Sequence, residues 1–401
     1  MSSIPNMEPM IPSEGGIDKS ALPGLALDLE RKAANLAGMV NPITAQVLEE
    51  YMRVINSYYS NLIEGNSTHP RDIRKAMQGE YSEDPARRDL QQESLAHVHV
   101  QAQLVQNPPA AAEFLAPQCF SDIHQMFYAQ LPKSLRVVSD AGENQKEVIP
   151  GAFRQPGEEV MIGRHVPPGA EHVTALLARF AEAYKIDNLY GHKQIIAAMA
   201  AHHRFTWIHP FLDGNGRVGR LHTDLFLKAI GLCACGIWCV SRGLARNNEA
   251  YKAALARADL HRQGDLDGRG ELSEKNLIGF CEFMITTAID QVEYMSSLLD
   301  LQKMVARIQI YFADRNKGLI RGVGKIKPEA SRLIEQAFTY GEFARADRDK
   351  ITGLGTSVSR KLVQQLKEEG LLTETSSRSP LRWAIPDHAE RYYLPELSPA
   401  I

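Results

Sequence analysis

From residue 25 to residue 299 the apolar residues of this chain recur at steps of three and four, the spacing that gathers them on one face of a helix. Val47, Tyr51, Val54, Ile55, Tyr58, Tyr59 and Leu62 show it most clearly and predict a helix over 43–64, stopped at Gly65. The same rhythm predicts helices at 25–36, 70–78, 88–105, 117–129, 171–184, 191–206, 216–231, 247–257 and 273–299. One stretch departs from it. Val137-Val138, Val148-Ile149 and Val160-Met161-Ile162 are short β-prone runs broken by glycine and proline, and predict a small hairpin within 137–163. Residues 1–24 read as a flexible lead, 25–115 as an N-terminal helical region, 116–300 as an all-α core, 301–324 as a linker helix, and 325–401 as a separate domain with a tail. In that last domain, helices at 328–340, 343–350 and 356–369 precede two short strands in 371–385, the order of a winged helix-turn-helix.

Composition narrows the function. With 45 basic and 48 acidic residues the formal charge is −3, too balanced for a chain that binds nucleic acid or membranes with its whole surface. The most apolar run, Leu225–Val240, has 16 residues and contains Lys228, short of the roughly 20 a bilayer requires. No basic start followed by an apolar run marks a secretory signal, so the expected compartment is the cytoplasm. Five cysteines, Cys119, Cys233, Cys235, Cys239 and Cys281, make no disulfide framework. Cys233, Cys235 and Cys239 lack a fourth metal ligand at suitable spacing and read as buried thiols.

The stretch most informative about chemistry is His209-Pro210-Phe211-Leu212-Asp213-Gly214-Asn215-Gly216-Arg217-Val218-Gly219-Arg220. Pro210 ends one helix, two glycines allow a tight turn, and a new apolar helix starts near Arg217. A glycine turn feeding a helix start exposes unpaired N–H groups at the positive end of a dipole, which suits an anion. Arg217 and Arg220, three apart, can grip phosphate oxygens from the first turn. Asp213 is a hard oxygen ligand for phosphate-bound Mg²⁺. His209 can take a proton from an attacking hydroxyl. Base, metal carboxylate, anion cradle and two guanidinium groups within twelve residues describe phosphoryl or nucleotidyl transfer.

This stretch resembles the Fic family motif HPFx[DE]GNGRxxR at every defined position. The resemblance implies a mainly helical Fic fold with a small β-hairpin flap, here with a C-terminal winged helix-turn-helix domain. It also implies AMP transfer from Mg-ATP to a Ser, Thr or Tyr hydroxyl of a target protein, or of the chain itself. In that reading His209 is the general base, Phe211 anchors the loop and Asp213 holds Mg²⁺. Gly214, Asn215 and Gly216 form the anion hole, while Arg217 and Arg220 bind the β- and γ-phosphates. Relatives that phosphorylate carry Lys at the position of Gly216, so the glycine points to AMP transfer. Ser60-Asn61-Leu62-Ile63-Glu64-Gly65 resembles the family's inhibitory motif [ST]xxxE[GN]. Ser60 and Glu64, four apart on one helix, face the same way, and a carboxylate brought to Arg220 would occupy the γ-phosphate site.

Gly151-Ala152-Phe153-Arg154 with Val160-Met161-Ile162-Gly163 resembles the family's target-docking hairpin, which would take an extended target segment by strand addition. Asn247 and Tyr251 follow the motif helix where the family borders the base: Asn247 as a nucleotide hydrogen-bond partner or helix N-cap, Tyr251 packing on adenine. His202 and His203 read as structural, and Asp265–Glu271 as a turn rather than a calcium loop. Residues 325–385 carry 11 Lys or Arg against 8 acids, and Thr356, Ser357, Ser359, Arg360 and Lys361 open a candidate recognition helix for DNA. Two other functions stay open at this level: a DNA-binding regulator whose core senses nucleotide, and a transferase using another nucleotide donor. A homo-oligomer is compatible with this reading.

Overall fold

The computed structural model describes residues 5–110, 113–139, 145–232 and 236–399. They fall into two compact units: the described residues of Met1–Lys32, Asn56–Cys233 and Cys239–Gln291 form one, and those of Ala33–Ile55, Ala234–Trp238 and Val292–Ile401 the other.

In chain order the helices up to the end of the first unit are α1 (Glu14–Asp18), α2 (Leu22–Met39), α3 (Pro42–Ile63), α4 (Pro70–Met77), α5 (Pro85–Gln106), α6 (Pro117–Tyr128), α7 (Val173–Ala183), α8 (His192–Ile208), α9 (Asn215–Ala229), α10 (Val240–Arg246), α11 (Asn248–Ala258) and α12 (Glu274–Leu299). Proline stands in the first turn of α4, α5 and α6, where its missing N–H has no partner to lose. The Asp84 side chain caps α5 by accepting from Ala86 N–H. Helix α8 is buried on every side from Ile195 to Phe205, which is why it lacks an apolar stripe. Around it Phe120 stacks on Phe205 at 4.6 Å and meets Phe180 edge-on at 5.4 Å. None of the helices among the described residues is long and apolar enough to cross a membrane.

Polar groups inside this core are partnered. His202 bonds Thr223 Oγ1 and the Tyr251 hydroxyl, both at 2.7 Å. His203 pairs with Asp259 at 3.1 Å and accepts from Arg204 Nη1 at 2.7 Å. Both histidines are thus structural. Cys119, Cys239 and Cys281 are buried free thiols, each pushed up to about 12 by burial. Cys233 and Cys235 lie outside the described residues. Residues 265–271 form a turn whose Asp267 carboxylate accepts from Gln263 and Lys275 N–H, so its oxygens serve the entry to α12.

Three expectations need correction. Residues 5–22, read as a flexible lead, are packed: Met7, Met10, Ile17 and Leu22 are buried. Arg204, fully buried, donates to Pro9 O through Nε (3.1 Å) and Nη2 (2.7 Å), and Tyr184 Oη donates to Met10 O at 2.6 Å. A buried guanidinium needs acceptors, and the lead supplies carbonyl oxygens that no helix can spare. The β structure is also displaced. Strands β1 (Val137–Ser139) and β2 (Gln145–Glu147) pair antiparallel with Val137 opposite Glu147. The runs at 148–149 and 160–162 make no strand; Ile162 forms an isolated bridge to His165. Pro150 and Pro156 remove ladder donors there. Finally, residues 240–246, for which no helix was expected, form α10, while the helix expected at 247–257 is present as α11.

The second unit contains the first half of α3, then α13 (Leu301–Asn316), α14 (Ala330–Tyr340), β3 (Glu342–Phe343), α15 (Arg348–Thr352), α16 (Thr356–Glu368), β4 (Leu372–Thr373), β5 (Leu381–Trp383) and α17 (Asp387–Tyr393). Its three strands are antiparallel in the order β3-β5-β4. Leu333, Ile334, Leu366, Leu381 and the fully buried Trp383 make its core. Thr356 and Ser359, expected to face a ligand from α16, instead donate their hydroxyls to Asp349, and Ser359 is buried. Ser357, Arg360 and Lys361 are exposed. Helix α17 escaped the sequence reading because its seven residues carry too few turns to show a period.

Removing residues 1–12 deprives buried Arg204 of its carbonyl acceptor and exposes the surface that Met7 and Met10 cover. We expect a loss of about 3–5 kcal/mol, the usual cost of stranding a buried charge. An unchanged thermal midpoint in the truncated protein would show that the segment contributes nothing.

Candidate functional site

The loop between α8 and α9 reverses the chain with nearly every backbone oxygen accounted for. His209, the residue after α8, is left-handed (φ 49°, ψ 61°). For a residue with a Cβ this costs about 1–2 kcal/mol, so neighbours must hold it. Arg154 does so: its Nε donates to His209 O at 2.7 Å, its Nη2 to Ile208 O at 3.3 Å and to Pro168 O at 2.8 Å, and its backbone N–H to Pro210 O at 2.8 Å. Phe211 is fully buried, stacked on His124 at 4.0 Å. Asn215 brackets it, donating Nδ2–H to Phe211 O (2.8 Å) and accepting Phe211 N–H (2.9 Å) on Oδ1. The Asn215 amide is thereby committed to the loop, so any share it takes in an anion hole falls to its backbone N–H. Gly151 N–H donates to His124 Nδ1 at 2.9 Å, which leaves Nε2–H to donate to Asp213 O at 3.2 Å.

The His209 ring is half-buried, and its Nδ1 lies 3.3 Å from Thr206 O. That bond places the proton on Nδ1 and leaves Nε2 as the acceptor. Burial, with the nearby Arg154 charge, lowers its pKa to about 4.

Gly214 is left-handed (φ 82°), and a Cβ there would sit 2.6 Å from Tyr128 Cε2. From Gly214 the helix begins: Val218 N–H makes the first return bond, to Gly214 O, so the amides of residues 215–217 precede the ladder. Asp213 accepts the Tyr128 hydroxyl at 2.6 Å and Arg217 Nη2 at 3.2 Å. Burial pushes its carboxyl up, but Arg217, the Tyr128 hydroxyl and Gly214 N–H outweigh it and hold the group below its ordinary range. Arg217 also donates Nη2 to the Tyr128 hydroxyl at 3.1 Å and Nη1 to Glu93 of α5, and lies over the Phe127 ring at 4.8 Å.

Arg220, 3% exposed, turns toward α3. It donates Nε to Ser60 Oγ (2.9 Å), and Nη2 to Ser60 O (2.9 Å) and Glu64 Oε1 (2.7 Å). The Glu64 side chain is 38% exposed, so it stands at the rim. It also covers the start of α9: a Cβ on Gly216 would lie 2.3 Å from Glu64 Oε1. Burial raises the Glu64 carboxyl, but Arg220 and Arg217 prevail and lower it overall.

Two expected residues are placed differently. Tyr251 is 3% exposed, and its hydroxyl bonds His202, so its ring is spent in the core rather than free to face a base. Asn247 is exposed and donates Nδ2–H to Gly243 O at 3.1 Å, closing α10 instead of capping α11. Four residues escaped the sequence reading as parts of this site: Glu93, His124, Tyr128 and the Arg154 clamp. His124 and Tyr128, four apart on α6, could be read as sharing a face. Nothing local tied that face to Asp213.

A model of the Fic/DOC family matches residues 114–227. The protein adenylyltransferase Fic of Drosophila erecta is 35% identical over 81 residues, and that of Drosophila ananassae 36% over the same length. Each alignment covers 20% of this chain and spans 16% of the relative's own length. Two solved structures share the fold. A Fic family protein from Desulfovibrio desulfuricans G20 is 19% identical, covering 90% of this chain and 96% of that one, with a TM-score of 0.52. A Fic domain containing signaling protein from Bacteroides thetaiotaomicron VPI-5482 is 16% identical, covering 68% and 95%, with a TM-score of 0.51.

Tyr128→Phe tests the electrostatics of Asp213. A depressed carboxyl stabilises the fold above its unfolded pKa and loses that contribution as pH falls through the folded value. Without the hydroxyl the folded pKa is expected to rise and that window to narrow. An Asp213 carboxyl titration by NMR that matches the parent's would refute the assignment.

Proposed function

We propose that this protein, whose residues 114–227 match the Fic/DOC family model, transfers AMP from Mg-ATP to a Ser, Thr or Tyr hydroxyl of a target protein. The observation that carries the reading is the ring of groups around the start of α9: amides ahead of the helical ladder, Arg217 and Arg220, Asp213, and the His209 imidazole with Nε2 free to accept. The adenylyltransferase activity named for the Drosophila relatives supports it, through a match to a limited part of each.

In this reading His209 Nε2 takes the hydroxyl proton, the hydroxyl oxygen attacks the α-phosphorus, and pyrophosphate leaves. The α9 amides and both guanidinium groups bind the phosphate oxygens. Arg217 Nε is buried with no acceptor among the described residues, which suits an incoming phosphate oxygen. The described residues contain no cluster of three metal-ligating side chains. Mg²⁺ is commonly held by one carboxylate with phosphates and water, and Asp213, 43% exposed, fits that demand. When bound, Mg²⁺ would neutralise phosphate charge. The low pKa of His209 keeps the base unprotonated through the neutral range, so the acid limb of kcat/KM should lie near pH 4 rather than near 6.5.

We further propose that Glu64 is a brake. Its carboxylate takes the Arg220 hydrogen bond that a terminal phosphate would need and sits against Gly216 in the anion cradle. Residues 325–385 we read as a winged helix, on the strength of element order and the β3-β5-β4 sheet. Much of their positive charge is internal: Arg345 and Lys367 pair with Glu374, and Arg382 with Glu342.

A charge-assisted bond of this kind is worth about 1.5–3 kcal/mol, so Glu64→Gly should raise transfer from α-labelled ATP about tenfold or more. Adding His209→Ala should abolish it. Equal labelling of lysate proteins by Glu64→Gly and the parent would remove the brake. Equal labelling with and without His209 would remove the base.

A further inference from the structure

The segment Gly151–Arg154 holds both ends of the loop that carries His209 and Asp213. At one end, Gly151 N–H fixes the His124 tautomer whose Nε2–H bonds Asp213 O. At the other, Arg154 is 3% exposed, and its side chain donates to backbone carbonyls, those of Ile208, His209, Pro168 and Glu158. Two of these, Ile208 O and His209 O, belong to the last turn and cap of α8, where carbonyls have no intrahelical donor. A cation at a helix C-terminus is also favoured by the dipole. The peptide it grips is the strained one: His209 is left-handed without being glycine. A packing role alone would not require a charged fork there; an apolar side chain fills space at lower desolvation cost.

We propose that Arg154 is a positioning residue for AMP transfer: its guanidinium locks the left-handed His209 peptide from which the imidazole projects, and couples that geometry to the exposed 149–166 segment. The inference rests on the proposed role of His209 as base. The groups that act electrostatically on the imidazole are Arg154, His165 and Asp213, so Arg154 supplies a charge as well as a fork. Ile149, Met161 and Val166 are 63%, 73% and 72% exposed.

The test uses the full chain carrying Glu64→Gly, with Arg154→Met and Arg154→Lys added separately. Three readouts are taken: kcat and KM for α-labelled ATP transfer, the His209 ring pKa by NMR on histidine-labelled protein, and thermal midpoint. For Arg154→Met we expect kcat to fall about 100-fold, the usual effect of a small misplacement of a reacting group. KM for ATP should stay within about twofold, since the phosphate contacts are elsewhere, and the ring pKa should move up. Arg154→Lys retains the charge without the fork. It should keep the ring pKa close to the parent's while kcat stays depressed. Should Arg154→Met fail to fold, the lysine variant decides. Parent-level kcat in either folded variant, or a kcat loss that only follows the unfolded fraction, overturns the proposal. If the Glu64→Gly parent itself transfers no AMP, the functional reading fails instead. The ring titration still reports whether Arg154 governs His209.

Discussion

A guanidinium removed from water must be met by acceptors on its N–H edges, and Arg220 meets most of that demand with α3. Ser60 Oγ, Ser60 O and Glu64 Oε1 each accept from it. This cluster joins the end of α3 to the second turn of α9, with Ser60 and Arg220 160 residues apart in sequence. Further polar pairs support the same seam: Asn56 Nδ2–H donates to Asp224 of α9 and to Gln101 of α5, both at 2.9 Å, and Ser57 Oγ–H donates to Ser94 O at 2.7 Å. A polar seam of this kind specifies one register, because a shifted helix would strand several buried donors together.

Charge balance around the start of α9 follows from that arrangement. Arg217 and Arg220 are faced by Glu64, Glu93 and Asp213, three carboxylates against two cations. Glu93 also accepts Asn66 Nδ2–H at 2.8 Å, just beyond the end of α3. In the proposed reading, an incoming triphosphate thus meets a cradle whose positive charge is already spent. On the same proposal, withdrawal of Glu64 would return Arg220 to the nucleotide, and Mg²⁺ on Asp213 would offset a further carboxylate. The carbonyls of the loop that carries His209 and Asp213 are held by Arg154, Asn215 and His124, not by the groups that phosphate would displace in this reading.

What was legible in the sequence is what depends on neighbours along the chain. Helical period, the proline break at Pro210, the glycine-marked turn and the i,i+4 pairing of Ser60 with Glu64 all follow from local sterics and spacing. So does the gathering of Asp213, Gly214, Gly216, Arg217 and Arg220 at one helix start. Tertiary structure alone decided which groups those residues meet. The buried ring of Tyr251, the spent amide of Asn215, the Glu93 partner of Arg217 and the Tyr128 donor to Asp213 depend on contacts between distant helices. The packed lead at residues 5–22 is of the same kind, because its proline-bearing sequence has no period, and donors distant in sequence, the buried Arg204 and Tyr184, give its carbonyls something to bind. The physical reason is one of range: backbone preference acts within a few residues, whereas burying a charge recruits acceptors from wherever the fold brings them.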